Sequence, residues 1–264
     1  MSATSRRNFL RMAGLAVVGA GLSPAIKALA DEEFELAGPH SPLMQGGGKK
    51  RLAMVVDPAK CAVAGDCTDC ITACNTAHNV PQILDPNHEI KWIWEEDYEH
   101  AFATVGESEF ATGGLKELPI VVMCNHCGNP PCTRVCPTQA TWKRESDGIV
   151  MYDMHRCIGC RFCMAACPFG ARSFNFEDPR PYIQSQTTDF PTRTKGVVEK
   201  CNFCEERLAR GEIPACVEAC KQQALAFGDL EDPNSEVRKL LAEHYTVRRK
   251  PQLGTQPQVY YIVS

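Results

Sequence analysis

Beyond its first thirty residues the chain has no uncharged apolar stretch approaching the roughly 18 residues that mark a membrane-span candidate, and its final segment, Pro251 to Ser264, is short and mixed. Nor does it have an excess of base, since 28 Lys and Arg stand against 32 Asp and Glu. Nucleic acid is therefore not an expected partner, because phosphate recognition needs clustered cations. No nucleophile set beside a base, no glycine-rich phosphate loop and no catalytic carboxylate pair stands out. The chain by itself is not expected to make or break substrate bonds. What it has in abundance is cysteine, 16 of 264 residues, with none left over from four blocks of four.

The N-terminus reads as an address. Ser5-Arg6-Arg7-Asn8-Phe9-Leu10 is a twin-arginine pattern, followed by an apolar run from Met12 to Leu22 and a small-residue cleavage site, Ala28-Leu29-Ala30. An ordinary secretory n-region is the alternative, disfavoured by the flanking Ser and Phe-Leu. Residues 1–30 are expected to be a signal peptide, with a mature, periplasmic chain starting near Asp31. Removing that segment, which has four basic residues and no acid, takes the formal charge from −4 to −8.

Sixteen cysteines in an exported protein would ordinarily mean disulfides. The spacing argues otherwise. The blocks are Cys61-x5-Cys67-x2-Cys70-x3-Cys74, Cys124-x2-Cys127-x4-Cys132-x3-Cys136, Cys157-x2-Cys160-x2-Cys163-x3-Cys167 and Cys201-x2-Cys204-x11-Cys216-x3-Cys220. The third, with Pro168 behind it, is the bacterial ferredoxin run that ligates [4Fe-4S] clusters. A tight loop offers three thiolates to three irons of one cubane, and the fourth cysteine, a helical turn on, ligates the other cluster of a pair. Block two also ends in Cys-Pro, at Cys136-Pro137. Crossing blocks two and three predicts the sets Cys124, Cys127, Cys132, Cys167 and Cys157, Cys160, Cys163, Cys136. Blocks one and four, which lack the proline, give Cys61, Cys67, Cys70, Cys220 and Cys201, Cys204, Cys216, Cys74. Block four alone would pass as a four-thiolate zinc site; beside an intact ferredoxin block, four [4Fe-4S] clusters are the expected cofactors. Export of an already folded protein suits a cofactor built in a reducing cytoplasm.

At a net charge of about −2 for each oxidised cluster with its thiolates, nearby cations matter. Arg134, Arg156, Arg161, Arg172, Lys200 and Lys221 lie within a few residues of a cysteine and would raise its cluster's potential, although a solvated surface charge is the commoner role of any one of them. His78, His88, His100, His126 and His155 are read as surface or supporting residues and none is assigned to a site.

The fold expected is α+β, with two ferredoxin-like two-cluster units in a pseudo-two-fold arrangement and long insertions. One unit comprises residues 117–176, with a hairpin from Gln139 to Lys143, a turn at Asp147-Gly148 and a return strand Ile149 to Asp153. The other combines residues 51–116 and 177–264, behind an extended arm at 31–50. Leu52 to Asp57, Leu118 to Met123 and Val259 to Val263 read as strands, and Ile71 to Ala77 as a short helix. Trp92 and Trp94 alternate with Ile93 in a half-buried strand. The insert Phe176 to Val198, with three prolines and no period, is either a loop over the clusters or a partner contact.

Two runs carry a resemblance: Cys124-Asn125-His126-Cys127-Gly128-Asn129-Pro130-Pro131-Cys132 and Cys157-Ile158-Gly159-Cys160-Arg161-Phe162-Cys163-Met164-Ala165-Ala166-Cys167-Pro168. The chain resembles the four-cluster ferredoxin subunits of periplasmic oxidoreductases over essentially its whole mature length. Asp69-Cys70-Ile71-Thr72-Ala73-Cys74 with Ala77-His78-Asn79-Val80-Pro81, Lys91-Trp92-Ile93-Trp94, and Arg193-Thr194-Lys195-Gly196-Val197-Val198-Glu199-Lys200-Cys201 are most similar to the DsrO-like branch. That branch belongs to the membrane complex associated with dissimilatory sulfite reductase. The resemblance implies electron transfer between an integral membrane quinone-interacting subunit, a multihaem c-type cytochrome and a further iron-sulfur subunit, in sulfur or sulfite respiration. The equivalent subunit of a polysulfide, tetrathionate or nitrite reductase, or of a hydrogenase, is the alternative. One departure stands out: five residues separate Cys61 from Cys67 where the family has two, and Ala64 holds the expected position. Whether Cys61 reaches a cluster turns on that longer loop.

Overall fold

The computed structural model describes residues 49–102 and 118–263. The signal peptide, nearly all of the arm and residues 103–117 lie outside the described residues. The fold is mixed α and β, built from short helices and small sheets. Among the described residues no helix is long and apolar enough to cross a membrane.

The largest sheet joins the two ends of the described chain. Strand β1 (Leu52–Val56) runs parallel to β10 (Val259–Ile262) and antiparallel to β8 (Leu225–Asp229), and β9 (Thr246–Val247) completes the order β8-β1-β10-β9. The β1 sequence LAMVV has no polar face, and the sheet is covered on both sides as such a strand requires. Met54 and Val56 face the main core with Leu225, Val259 and Tyr261. Ala53 and Val55 face a smaller core with Ala226, Leu230 and Ile262, closed by Val237 from a helix at Glu236–Glu243.

Block one enters through α1 (Pro58–Val63), which Asp57 caps by accepting from the Lys60 N–H, and α2 (Asp69–Ala77). In α2 the four-residue spacing puts Cys70 and Cys74 on one buried face. Asn79, at φ +51°, stops this helix, and the Val80 N–H bonds back to the Asn75 carbonyl at 2.9 Å.

The tryptophan segment forms β2 (Ile93–Glu96), followed by the short helix α3 (Tyr98–Ala101); β2 is antiparallel to β3 (Ile120–Met123), which delivers the chain into block two at Cys124. The half-buried alternation is not realised: Trp92, Ile93 and Trp94 are all buried. Phe190, from the proline-rich insert, packs edge-on against Trp92, and Ile93 lies in the same buried core, so both faces of the segment are covered. The block-two hairpin forms as β4 (Thr141–Lys143) and β5 (Val150–Tyr152), its turn closed around Gly148 at φ +78°. Strand β6 (Ser173–Phe174) pairs with β7 (Val198–Glu199), clamping both ends of the insert between them.

Short helices carry the later cysteines. In blocks two and three these are α4 (Pro131–Arg134) and α5 (Phe162–Ala166), packed against each other. In block four, α6 (Glu205–Leu208) follows Cys204, and α7 (Ala215–Glu218) packs on α2 of block one. Each block thus meets a partner from another part of the chain.

Candidate functional site

All sixteen cysteines are free thiols, with no disulfide joining any two. They gather in fours. Cys61, Cys67, Cys70 and Cys220 line one cavity of about 390 Å³, floored by Val56, Val121 and Leu225. Cys136, Cys157, Cys160 and Cys163 line a second, also about 390 Å³. Cys124, Cys127, Cys132 and Cys167 line a third of about 320 Å³. The remaining four, Cys74, Cys201, Cys204 and Cys216, lie close enough that a thiolate at Cys74, Cys204 or Cys201 raises the Cys216 thiol further, after burial has done most of it. The longer loop therefore does not keep Cys61 away: α1 presents it beside Cys67 and Cys220, and Gly65 at φ +62° turns the intervening chain.

The loops curl because individual residues accept left-handed backbone. Gly159 and Arg161 do so in block three, at φ +68° and +63°, and Phe203 and Cys204 in block four, at +57° and +51°. The non-glycine cases cost roughly 1–3 kcal/mol each and persist where surroundings over-determine them. Within the block-four curl the Phe203 N–H reaches Cys201 Sγ at 3.4 Å, and segments packed beside the cysteines bring further backbone N–H groups to sulfur: Val198 to Cys157 at 3.5 Å, Ala215 to Cys204 at 3.4 Å and Ala224 to Cys220 at 3.2 Å.

Burial makes these thiols poor acids without a cation beside them. It pushes Cys70 and Cys127 up to about 12 and Cys61 up to about 11, with neighbouring cysteines adding to the shift. Four thiols around a small apolar cavity suit a cationic iron-sulfur core, which supplies the charge that lets all four ionise. One polar group points the same way. Asn125 lines the cavity of Cys124, is buried, and its side-chain amide has no hydrogen-bond partner among the described residues; an inorganic sulfide would accept from it.

The quartets follow one another. Arg172 lines both the Cys163 cavity and the Cys132 cavity. Cys124, of the latter, is among the charges that raise Cys201, and Cys70 among those that raise Cys216. At one end Cys160 is exposed, and at the other Cys61 and Cys67 are half-buried.

Sequence reasoning named His78 and His126 but assigned neither to a site. His78, one turn beyond Cys74, is 1% exposed, with Nδ1 at 2.9 Å from the Cys74 carbonyl and Nε2 at 2.9 Å from Glu206. Its ring stacks on Trp92, centroids 4.6 Å apart. Burial alone would lower the imidazole, but hydrogen bonds to Cys204, Cys74 and Glu206 outweigh it and raise it. The four-residue spacing from Cys74 was the available signal. His126 is also buried, accepting from the Val150 N–H at 3.1 Å and lying against Phe203. Of the six candidate cations, Arg172 and Lys200 are buried, while Arg134, Arg156, Arg161 and Lys221 are exposed. Arg156 and Lys221 are turned to surface pairs with Asp153 and Asp69.

Cysteine-lined apolar cavities on curled loops, in a mixed α and β frame, define a ferredoxin-like iron-sulfur protein. Residues 119–230 match the 4Fe-4S dicluster domain family. The chain is 42% identical to Hdr-like menaquinol oxidoreductase iron-sulfur subunit 1 of Archaeoglobus fulgidus, with 97% of each chain covered. It is 36% identical to a tetrathionate reductase subunit of Salmonella typhimurium, covering 98% of this chain and 88% of that one. It is likewise 36% identical to the iron-sulfur cluster-binding subunit of the menaquinone reductase of Nitratidesulfovibrio vulgaris, covering 81% and 89%. The chain belongs to this family of [4Fe-4S] electron-transfer subunits of oxidoreductase complexes.

Proposed function

We propose that the chain is an exported relay holding four [4Fe-4S] clusters in series, which passes single electrons between a quinone-interacting membrane subunit and other redox subunits. The observation that supports it best is the grouping of all sixteen cysteines into four successive quartets between the exposed Cys160 and the half-exposed Cys61 and Cys67. When bound, a [4Fe-4S] cluster supplies a one-electron couple that needs no proton. The chain's own work is to hold and tune. Each quartet takes three cysteines from one block and one from its partner block, within two ferredoxin-like units related by a pseudo-two-fold. Backbone N–H groups at Val198, Phe203, Ala215 and Ala224 stabilise anionic sulfur, and Val56, Val121, Leu225 and Phe169 exclude water.

The names of relatives that are menaquinol oxidoreductase and menaquinone reductase subunits support a quinone-linked membrane partner. A multihaem c-type cytochrome and a further iron-sulfur subunit, in sulfur or sulfite respiration, complete the complex. The twin-arginine pattern at Arg6-Arg7 supports a periplasmic location. A second reading, the corresponding subunit of a tetrathionate or polysulfide reductase, is favoured by relatives of those names.

Anaerobic purification with iron and acid-labile sulfide analysis tests the relay, which requires about sixteen of each per chain. A colourless protein holding only zinc would sink it. Identification of the subunits that co-purify decides between the two complexes.

A further inference from the structure

Four cations are buried among the described residues: Arg172, Arg193, Lys200 and Arg249. Arg193 and Arg249 pair with Glu199 and Glu96 at 2.7 and 2.9 Å. Lys200 donates to the carbonyls of Val150 and Cys201. Arg172 differs from all three in donating to a cysteine sulfur. It is 6% exposed, no carboxylate among the described residues lies within ion-pair distance, and its Nη2 donates to Cys132 Sγ at 3.1 Å and Thr141 Oγ1 at 2.8 Å. Among the three cysteine cavities described above it is the one residue shared by two, with Cys163 on one side and Cys132 on the other.

A guanidinium does not lose its proton in a protein. Leaving one buried without an anion would cost several kcal/mol. The anions facing Arg172 are the thiolates of Cys132, Cys163 and Cys124, each of which favours its charged form. Other elements packed around it bring Thr141 as a neutral anchor.

We propose that Arg172 is a shared tuning residue, a fixed positive charge between two neighbouring centres that raises the reduction potential of both and that of the Cys132 centre most. The inference rests on the four-cluster reading above. Reduction adds one electron, supplied by the adjacent centre in the series, and takes a four-thiolate cluster from about −2 to about −3 with no proton taken up. The Arg172 charge therefore stabilises the reduced form more than the oxidised form. The direct N–H to Cys132 Sγ adds a second contribution on that side only.

Two properties separate this role from simple packing. The effect falls on two centres and spares the Cys216 and Cys70 quartets. It also depends on charge, so Arg172→Lys retains most of it while Arg172→Gln does not.

The test is an anaerobic redox titration of the full chain followed by EPR, on wild type, Arg172→Gln, Arg172→Lys and Arg134→Gln. Arg134 is the control, because it lies two residues from Cys132 but is exposed. Wild-type iron content and the number of titrating centres test the underlying reading independently of any variant. In Arg172→Gln the Cys132 centre should become at least tenfold harder to reduce at fixed potential, a fall of about 59 mV for one electron. Its neighbour at Cys163 should fall by less, and the other two centres should hold their midpoints. Arg172→Lys should recover more than half of the shift, and Arg134→Gln should move nothing by more than a third of it. The proposal is overturned if the Arg172→Gln midpoints superpose on wild type, if all four centres move together, or if Arg134→Gln matches it. Loss of the Cys132 centre in both Arg172 variants would assign the residue to assembly and equally overturn tuning.

Discussion

The Arg193 and Glu199 pair offers a quantitative test of what holds the inner quartet in place. Both residues are 0% exposed, and their 2.7 Å contact ties the 176–198 insert to β7, next to Cys201. Glu199 also accepts from Trp92 Nε1 at 2.7 Å and Asn175 Nδ2 at 2.6 Å. Arg193 donates to the carbonyls of His78 and Asn79, the end of the helix that carries Cys74. Glu199→Gln keeps the shape and removes the charge, leaving a guanidinium buried without its anion. Breaking a buried pair in this way costs about 3–5 kcal/mol, and a domain of this size loses about 2–4 °C per kcal/mol. The expected fall in anaerobic thermal midpoint is thus about 6–20 °C, read by loss of cluster absorbance and far-UV dichroism at one scan rate. Arg193→Met should cost a similar amount, and the double variant clearly less than the sum, with a coupling of about 2 kcal/mol or more. Additive costs, or a Glu199→Gln penalty below about 1 kcal/mol, would refute the reasoning, since either would mean that water reaches the pair.

Four further outcomes follow from particular residues. Cys61→Ser should alter or remove the EPR signal of one centre and leave that of the Cys160 centre unchanged; an unchanged spectrum would show that Cys61 is not a ligand. Gly159→Ala should shorten the half-life of the Cys157 centre under chelator severalfold, because an added Cβ would sit 2.3 Å from the Gly196 carbonyl at a φ of +68°. Gly170→Ala, at φ +65° with open space, should cost only about 1 kcal/mol in stability. Anaerobic iron removal should give a destabilised apoprotein to whose remaining stability Cys70 and Cys127 contribute fully below pH 9.0 and progressively less from there toward 12. The sign follows from Cys70 and Cys127, raised from 9.0 to about 12 in the fold, so the unfolded chain releases their protons first. A stability that rose through this window would contradict it.

The strands at Leu52–Val56, Ile120–Met123 and Val259–Ile262 and the hairpin Thr141–Lys143 with Val150–Tyr152 were legible in apolar runs and in the Asp147-Gly148 turn. The tryptophan strand forms, but its half-burial was misjudged. Alternation reports one covered face, and the sequence does not say that both faces are buried, with Phe190, nearly a hundred residues later, among the residues packed on Trp92. His78 was left unassigned for a related reason: its spacing from Cys74 was visible, but Glu206 and Trp92, which hold it, come from distant segments.

By itself the sequence determined the chemistry, because the spacing within each block is covalent and short-range: a two-residue gap confines two thiols to one small loop whatever surrounds it. The tertiary structure decided what that chemistry can be tuned to do. Only packing brings Cys61 across its longer loop to Cys67, Cys70 and Cys220. Only packing leaves Arg134 in solvent while sealing Arg172 between two cavities, although both lie a few residues from a cysteine. A charge's influence depends on the dielectric around it and on the distance to its neighbours, and neither is written in the order of residues along one block.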